Sequence, residues 1–336
     1  MIQPLNIPTF SQQRTSFGAF TPSKKPDDYN LLQDFKRLKN IQNLSCACCG
    51  TEMNTEKDIQ NYRYVIAHAA DKPLIKALND SMDFMNPTAK TVAKKIIVLA
   101  EQNEGADIKD LTKMLAKGRK LHFLEKQNKK LEIKLKKYVK PEILYKLPKE
   151  VITTLTTAYE LAIRKKYDYE KTQQNTGLAF IRDNILQKLQ FAITTHPELK
   201  FLLEAIRKDV QKLDSFYNSP DAFILFCEKM NSTQIAELFF TAKRASIEHI
   251  VPRLEGGTND HGNLLIFCKE CNVERDRSSY EDMPYDNIGF IGSLRKYLYT
   301  IKEHLDKGEY PGLENYPKQV TETLYKVSNG SIDIEA

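Results

Sequence analysis

Residues 246–272 read SIEHIVPRLEGGTNDHGNLLIFCKECN, and this stretch decides the fold of the chain. Two short runs rich in β-branched or apolar residues, 246–250 and 264–267, flank a loop that contains Gly256-Gly257, which is typical of two paired strands. A polar run from about residue 272 to residue 280 predicts a helix directly after them. The order strand, strand, helix predicts a small α+β unit in this part of the chain.

Polar side chains in this unit have the chemistry of a metal-dependent hydrolytic site. Glu248 and His249 are neighbours on the first predicted strand, so their side chains point to opposite sides. A carboxylate there can hold a hard cation while a neutral imidazole beside it polarises a water molecule. Asn263 begins the second strand, where its amide can hold the His249 loop, and Asn272 opens the predicted helix. Glu248 and Asn272 can hold one Mg²⁺ through oxygen, although each residue taken singly is also an ordinary ion pair, surface group or cap.

Two cysteine pairs, Cys46-x-x-Cys49 and Cys268-x-x-Cys271, have the spacing of zinc knuckles. Each such turn lets both thiolates reach one tetrahedral zinc ion at about 2.3 Å. The pairs are more than 200 residues apart in the chain. Closing so long a loop costs roughly 5 kcal/mol, whereas a structural zinc ion contributes on the order of 10–16 kcal/mol. The sequence therefore predicts one shared structural Zn²⁺ site formed by Cys46, Cys49, Cys268 and Cys271.

Disulfide bonds are the alternative explanation of these cysteines. The N-terminus, Met-Ile-Gln-Pro, has no basic region followed by an apolar one, so we expect neither secretion nor an oxidising compartment. Cys48 leaves the first pair ambiguous, because Cys46-x-Cys48 is a less usual spacing. Cys227 lies in an apolar run and is predicted to be a plain buried thiol.

The stretch 117–140 carries ten Lys or Arg residues against two Glu, in a chain whose formal net charge is only +6. Apolar residues along its helical period put these cations on the remaining faces. A basic helix of this kind is a candidate track for a nucleic-acid backbone, and a solvated helix face is the alternative. The candidate nucleic-acid-binding residues are Lys126, Lys129, Lys130, Lys136 and Lys137.

The run Glu-His-Ile-x-Pro, followed by Gly-Gly, Asn-Leu and Cys-x-x-Cys-Asn, resembles the HNH endonucleases of the ββα-metal fold. Asn263 follows His249 by 14 residues and Asn272 follows Asn263 by 9, which are spacings familiar from that family. The resemblance covers about residues 244–277 and leaves about four-fifths of the chain unexplained.

The resemblance implies a role for each matching residue. His249 would be the general base that activates water, and Asn263 would orient the loop that carries it. Glu248 and Asn272 would hold a catalytic Mg²⁺ or Mn²⁺ at the scissile phosphate. Arg275 stands where the family usually has Lys and would contact phosphate. Two further departures are Glu248 in place of the commoner Asp and Asp276 in place of a frequent Gly.

The function implied is hydrolysis of phosphodiester bonds in nucleic acid, with DNA as the expected substrate. RNA, including tRNA, is an alternative substrate, because the motif also resembles HNH effectors of bacterial anti-phage defence, which often act beside an ATPase partner. Such a partner would bind through the helical insertion. A toxin, or a zinc-stabilised protein that binds nucleic acid without catalysis, is also compatible with the sequence.

The expected fold class is mainly α with a small α+β part, in which a ββα-metal core stapled by a four-cysteine zinc site is split by a large helical domain. No apolar run approaches the length of a membrane helix, so we expect no membrane association and a cytoplasmic location. The predicted organisation is a disordered arm at 1–29, an N-terminal segment with the first cysteine pair at 30–71, a helical insertion at 72–240, the nuclease core at 241–285 and C-terminal helices at 286–336.

Overall fold

The computed structural model describes residues 26–168, 177–228, 230–275 and 287–334. Most of the predicted arm therefore lies outside the described residues, although its last four positions, 26–29, belong to the first helix. Asp276 and the end of the helix predicted at 272–280 also lie outside them.

The described residues are mainly helical, as the periodicity predicts. Their α-helices are α1 (Pro26–Arg37), α2 (Glu56–His68), α3 (Asp71–Asp80), α4 (Pro87–Ala100), α5 (Ile108–Ala116), α6 (Arg119–Lys136), α7 (Pro141–Leu144), α8 (Lys149–Asp168), α9 (Gly177–Thr195), α10 (Lys200–Gln211), α11 (Pro220–Cys227), α12 (Ser232–Thr241), α13 (Lys269–Arg275), α14 (Asn287–Asp306) and α15 (Tyr316–Val327).

Side-chain caps fix where several of these helices begin. Thr55 forms a capping box with Asp58 at the start of α2, in which the Thr55 N–H donates to the Asp58 carboxylate at 2.8 Å. Asn231 forms the equivalent box with Gln234 at the start of α12. These bonds satisfy N–H groups that have no partner within the helix, so the polar residues before each apolar run determine its first turn.

Two strands form the sheet of the described residues, β1 (Ala245–His249) and β2 (Leu264–Cys268). They are antiparallel, with Ala245 opposite Cys268 and His249 opposite Leu264. Both strands lie within one residue of the predicted runs, and α13 follows β2 without a break. The predicted fold class, mainly α with a small α+β part, is confirmed.

The sheet lies in a hydrophobic core that joins the two ends of the chain. Its buried residues come from 35–53, 245–271 and 290–334, and every residue of β2 is buried. The hydroxyls of Tyr297 and Tyr316 are 2.7 Å apart, and the Tyr316 hydroxyl donates to the carbonyl of Leu264 at 3.0 Å. Helices α14 and α15 are thereby bonded to the strand that leads to Cys268.

The helices between the two cysteine pairs have two hydrophobic clusters of their own. The first helical cluster is formed by α2–α5 together with α11 and α12, and the second by α6 and α8–α10. Asn54 links the first cluster to the segment before β1, because its backbone N–H donates to the Lys243 carbonyl at 2.8 Å. No helix among the described residues combines the length and the apolar character that crossing a membrane requires.

Candidate nuclease and zinc sites

Four cysteine sulfur atoms meet at the end of the sheet. The Sγ atoms of Cys46, Cys49, Cys268 and Cys271 all lie within 4.8 Å of one another, although the two pairs are far apart in the chain. The Cys46 sulfur accepts hydrogen bonds from the backbone N–H groups of Cys268, at 3.1 Å, and Cys48, at 3.4 Å. The four-cysteine cluster is the set predicted from the sequence; Cys48 is outside this set, although its side chain hydrogen-bonds to Cys46 and Cys271 beside it.

The first cysteine turn is attached to the sheet by its backbone. The N–H of Ala47 donates to the carbonyl of Ile266 at 3.1 Å, and the N–H of Gly50 donates to the carbonyl of Cys46 at 2.9 Å. Gly50 has a φ of +69°, a conformation that glycine adopts without steric cost. The N-terminal knuckle therefore has a defined position beside β2 and the start of α13.

Hydrogen bonds among the four thiols shift their pKa values in opposite directions. A hydrogen bond with Cys268 raises the pKa of Cys271; for Cys268 itself, the bond with Cys271 lowers the pKa, but bonds with Cys46 and Cys49 outweigh it and raise the pKa. Burial opposes ionisation of Cys46, but hydrogen bonds from Cys268 and Cys271 outweigh it and hold the pKa of Cys46 well below its usual range. A hydrogen bond with Cys268 lowers the pKa of Cys49 to about 7. Four thiol groups at this separation are compatible with a structural zinc ion. Cys227 is a buried thiol of the first helical cluster, and burial raises its pKa to about 12.

Glu248 and Asn272 are in direct contact. The Asn272 amide nitrogen donates to Oε2 of Glu248 at 2.6 Å and to the carbonyl of Ile247 at 3.1 Å. Asn272 lies one residue after Cys271 on α13, so it is directly beside the four-cysteine cluster. Carboxylate and amide oxygens are ligands that Mg²⁺ and Mn²⁺ prefer, so the residue types fit a divalent cation. In this conformation, however, Oε2 of Glu248 accepts from the Asn272 nitrogen and Oε1 pairs with Arg275, so both contacts must open for a cation to bind.

Arg275 has contacts other than the phosphate contact that the resemblance implies. Its side chain is fully buried, and its Nη1 forms an ion pair with Oε1 of Glu248. The guanidinium also donates to the carbonyl of His249 at 2.5 Å and to that of Ile250 at 2.8 Å. In this conformation Arg275 holds the end of β1 rather than facing solvent, because the helix turns it toward the sheet.

Asn263 holds both sides of the loop that follows His249. Its Oδ1 accepts from the N–H of Val251 at 2.7 Å, and its Nδ2 donates to the carbonyls of Val251 at 3.2 Å and Thr258 at 2.9 Å. Gly257 lies inside this arrangement, where a Cβ atom would come within 1.8 Å of the Val251 oxygen. The glycine of the sequence motif is therefore required by a close approach of two backbone segments.

His249 is half-buried, and its Nε2 lies 2.9 Å from Oδ1 of Asn259. Asn259 is 3% exposed and was not among the residues singled out from the sequence. Its only sequence signal is a polar side chain in the loop between the paired strands. His261, two residues further along the same loop, is half-buried, with its Nε2 at 3.1 Å from the Leu31 carbonyl.

The candidate nucleic-acid lysines lie on α6 or directly after it, and three of the five have acidic partners. Lys130 pairs with Asp214 at 3.0 Å, Lys129 pairs with Glu132 at 3.3 Å, and Lys137 pairs with Asp209. Lys126 and Lys136 are exposed and form no ion pair with the described residues. Part of the basic charge of this stretch thus joins α6 to the acidic side chains of α10 and the residues after it.

Comparison with known protein families identifies the hairpin region. Residues 236–277 match the family described as HNH endonuclease. This segment contains the end of α12, both strands, Glu248, His249, Asn259, the second cysteine pair and α13. The comparisons with curated proteins and with solved structures give no match.

Proposed function

The chain carries an HNH endonuclease domain at residues 236–277, and from this premise we propose that it is a metal-dependent nuclease that hydrolyses phosphodiester bonds in DNA. The observation that carries the proposal is the contact between Asn272 and Glu248 at 2.6 Å, beside His249 at the end of β1. Asn272 is thereby bonded to the strand residue that directly precedes His249.

In the proposed reaction, His249 accepts a proton from a water molecule as that water attacks phosphorus, and the bond to the 3′ oxygen breaks. Glu248 and Asn272 would hold the Mg²⁺ or Mn²⁺ ion, which supplies Lewis-acid stabilisation of the phosphate and of the leaving oxygen. Asn263 keeps the His249 loop in place through its bonds to Val251 and Thr258. Arg275 neutralises Glu248 and binds the His249 carbonyl.

The proposed zinc ion has a structural role. Four thiolates would complete its tetrahedral coordination, which leaves no position for substrate or water. Its effect on chemistry would be indirect: it fixes the start of α13 and so the position of Asn272. The Sγ atoms of Cys49 and Cys268 are 3.9 Å apart, which is compatible with their binding one zinc ion.

The choice of DNA over RNA rests on the family resemblance, as does a role in anti-phage defence with an ATPase partner at the helical insertion. A nuclease domain of this size binds mainly the phosphate backbone, so target choice would lie with the insertion or with a partner. The alternative to catalysis is a protein that binds nucleic acid through the same domain without cutting it.

One gel series tests the proposal. Wild type and His249→Ala are incubated with supercoiled plasmid, linear duplex, single-stranded DNA and total tRNA, with Mg²⁺, with Mn²⁺ and with EDTA. We expect cleavage of DNA by wild type with either metal, and none with EDTA or in His249→Ala. His196→Ala, a histidine at the surface between α9 and α10, is the matched control and is expected to cut like wild type.

Equal inactivity of wild type and His249→Ala on every polymer would contradict catalysis and favour the binding protein. Cleavage of tRNA with all DNA forms intact would contradict the proposed substrate and favour the RNA-directed alternative.

A further inference from the structure

The hydrogen bond between His249 and Asn259 defines which imidazole nitrogen carries the proton. Nε2 of His249 lies 2.9 Å from Oδ1 of Asn259, and an amide oxygen only accepts hydrogen bonds. With Oδ1 of Asn259 in this position, Nε2 of the neutral ring carries the hydrogen and the lone pair is on Nδ1. A general base needs this lone pair directed at the attacking water.

We propose that Asn259 is a positioning residue, which fixes the tautomer and the ring orientation of His249 so that Nδ1 receives the proton from water. The inference rests on the proposed function, in which His249 is the general base. It adds to that function a residue from the middle of the loop, where neither the motif nor the spacing indicates one.

Hydrogen bonds anchor the residues on both sides of Asn259 in the loop. The carbonyl of Thr258 accepts from Asn263 Nδ2 at 2.9 Å, and the carbonyl of Asp260 accepts from the Asn263 N–H at 2.8 Å. The Thr258 hydroxyl also donates to the Asp260 carboxylate at 2.5 Å. Because both neighbours are anchored and Asn259 is itself buried, its side chain has little freedom to leave the imidazole. Supporting contacts of this kind keep a catalytic group in one orientation.

Charged residues lie next to His249 or Asn259 on β1, on α13 and in the loop between the strands. Glu248 is the neighbour of His249 on β1, Arg275 of α13 binds the His249 carbonyl at 2.5 Å, and Asp260 follows Asn259 in the loop. Asn259 itself is neutral, so its contact orders the ring and stabilises the imidazolium form less than a carboxylate would. An aspartate at this position would keep the acceptor oxygen and add a negative charge, which favours the protonated ring.

The first test reads the tautomer and does not depend on activity. In full-length, zinc-loaded protein labelled with ¹⁵N-histidine, His249→Ala assigns the resonances of His249. We expect the Nε2-protonated tautomer in wild type and in the control Glu255→Gln, and a mixture of tautomers in Asn259→Ala. An Nδ1-protonated ring in wild type, or an unchanged tautomer in Asn259→Ala, would overturn the inference even if the protein proves to be an active nuclease.

The second test separates positioning from a general loss of structure by kinetics on the substrate that wild type cleaves. Asn259→Ala is expected to lower kcat by about 10–100-fold with little change in KM, as removal of supporting hydrogen bonds typically does. Asn259→Asp is expected to retain most of kcat and to move the acid limb of the pH profile upward by about one unit. Glu255→Gln, which changes an exposed side chain of the same loop, is the control, with kcat within about twofold of wild type.

The outcomes of the two tests are distinguishable. Loss of kcat in Asn259→Ala together with an unshifted profile in Asn259→Asp would indicate a merely structural role and overturn the inference. If wild type cuts no polymer, the proposed function fails, and the tautomer measurement alone decides whether Asn259 orders His249.

Discussion

Nη1 of Arg275 lies 2.5 Å from the carbonyl oxygen of His249, so a residue of helix α13 holds the backbone of the proposed general base. The same guanidinium pairs with Glu248 on the preceding position of β1. Since α13 begins at the second cysteine pair, the zinc site, the helix and the end of the strand form one connected unit. Disturbing any of the three should affect the other two.

Removal of Arg275 tests this connection. Arg275→Ala leaves the buried carboxylate of Glu248 without its cation, which should lower the free energy of unfolding by roughly 3–5 kcal/mol. In the double variant, Arg275→Ala with Glu248→Gln, the free energy of unfolding should fall by less than the sum of the two single effects, because no buried charge is left unpaired. Urea unfolding followed by circular dichroism measures both effects.

Arg207→Ala is the matched control for this prediction, because Arg207 pairs with Glu204 at 2.8 Å in the second helical cluster and is equally buried. The Arg207→Ala change should lower the free energy of unfolding through the second helical cluster, and the rate of cleavage by the folded variant should equal that of wild type. Strictly additive effects of Arg275→Ala and Glu248→Gln would contradict the predicted coupling.

Loss of the zinc ion should separate the N-terminal knuckle from the sheet. Cys271→Ser is expected to reduce bound zinc from about one equivalent to a small fraction of one and to lower Tm by more than about 5 °C, because metal binding contributes directly to folding. Cys48→Ser is the control, since its sulfur is outside the four-cysteine cluster although it is buried beside it. Metal analysis of purified protein and thermal unfolding check both variants. Less than about half an equivalent in wild type, or loss of zinc in Cys48→Ser, would contradict the assignment.

Substitution by alanine should have different effects at the adjacent residues Gly256 and Gly257. Gly257→Ala places a Cβ where the Val251 carbonyl lies, so the loop that carries His249 must shift and cleavage should fall by at least about tenfold. Gly256→Ala has open space around its Cβ, so its only cost comes from the φ of +89°, which should lower stability by about 1–2 kcal/mol and leave cleavage by folded protein nearly unchanged. The rate of cleavage and the free energy of unfolding in urea are measured for both variants and compared with those of wild type. Equal loss of cleavage in both would show that steric approach at Gly257 is not the determining feature.

Those parts of the site whose residues lie close together in the chain could be predicted from the sequence. Strand propensity and the Gly-Gly loop indicate the hairpin, and its register brings the segment after His249 against Asn263. The cysteine spacing indicates which sulfur atoms share a site even though the pairs are distant, because the ion accepts only a few geometries. The fold class follows from the same patterns.

Side-chain direction could not be predicted in the same way. Arg275 and Asn259 both turn inward, because the path of a helix and of a loop decides which atoms reach His249. The acidic partners of Lys130 and Lys137 lie 84 and 72 residues further along the chain, after and on a different helix. Only packing of the second helical cluster brings these charges together, so local charge counting overestimates the free basic surface.

This distinction between paired and exposed lysines leads to a prediction about nucleic-acid binding. Lys126→Glu with Lys136→Glu should weaken binding and reduce the slope of log affinity against log salt by roughly 1–2, because each phosphate contact contributes about 0.9 to that slope. Lys94→Glu with Lys188→Glu, exposed positions on α4 and α9, changes the net charge equally and should leave the slope unchanged. Lys130→Glu with Lys137→Glu should instead lower stability, because it sets like charges against Asp214 and Asp209. Titrations with the His249→Ala background at several salt concentrations measure affinity without cleavage, and equal slopes for all the variants would rule out α6 as a nucleic-acid contact.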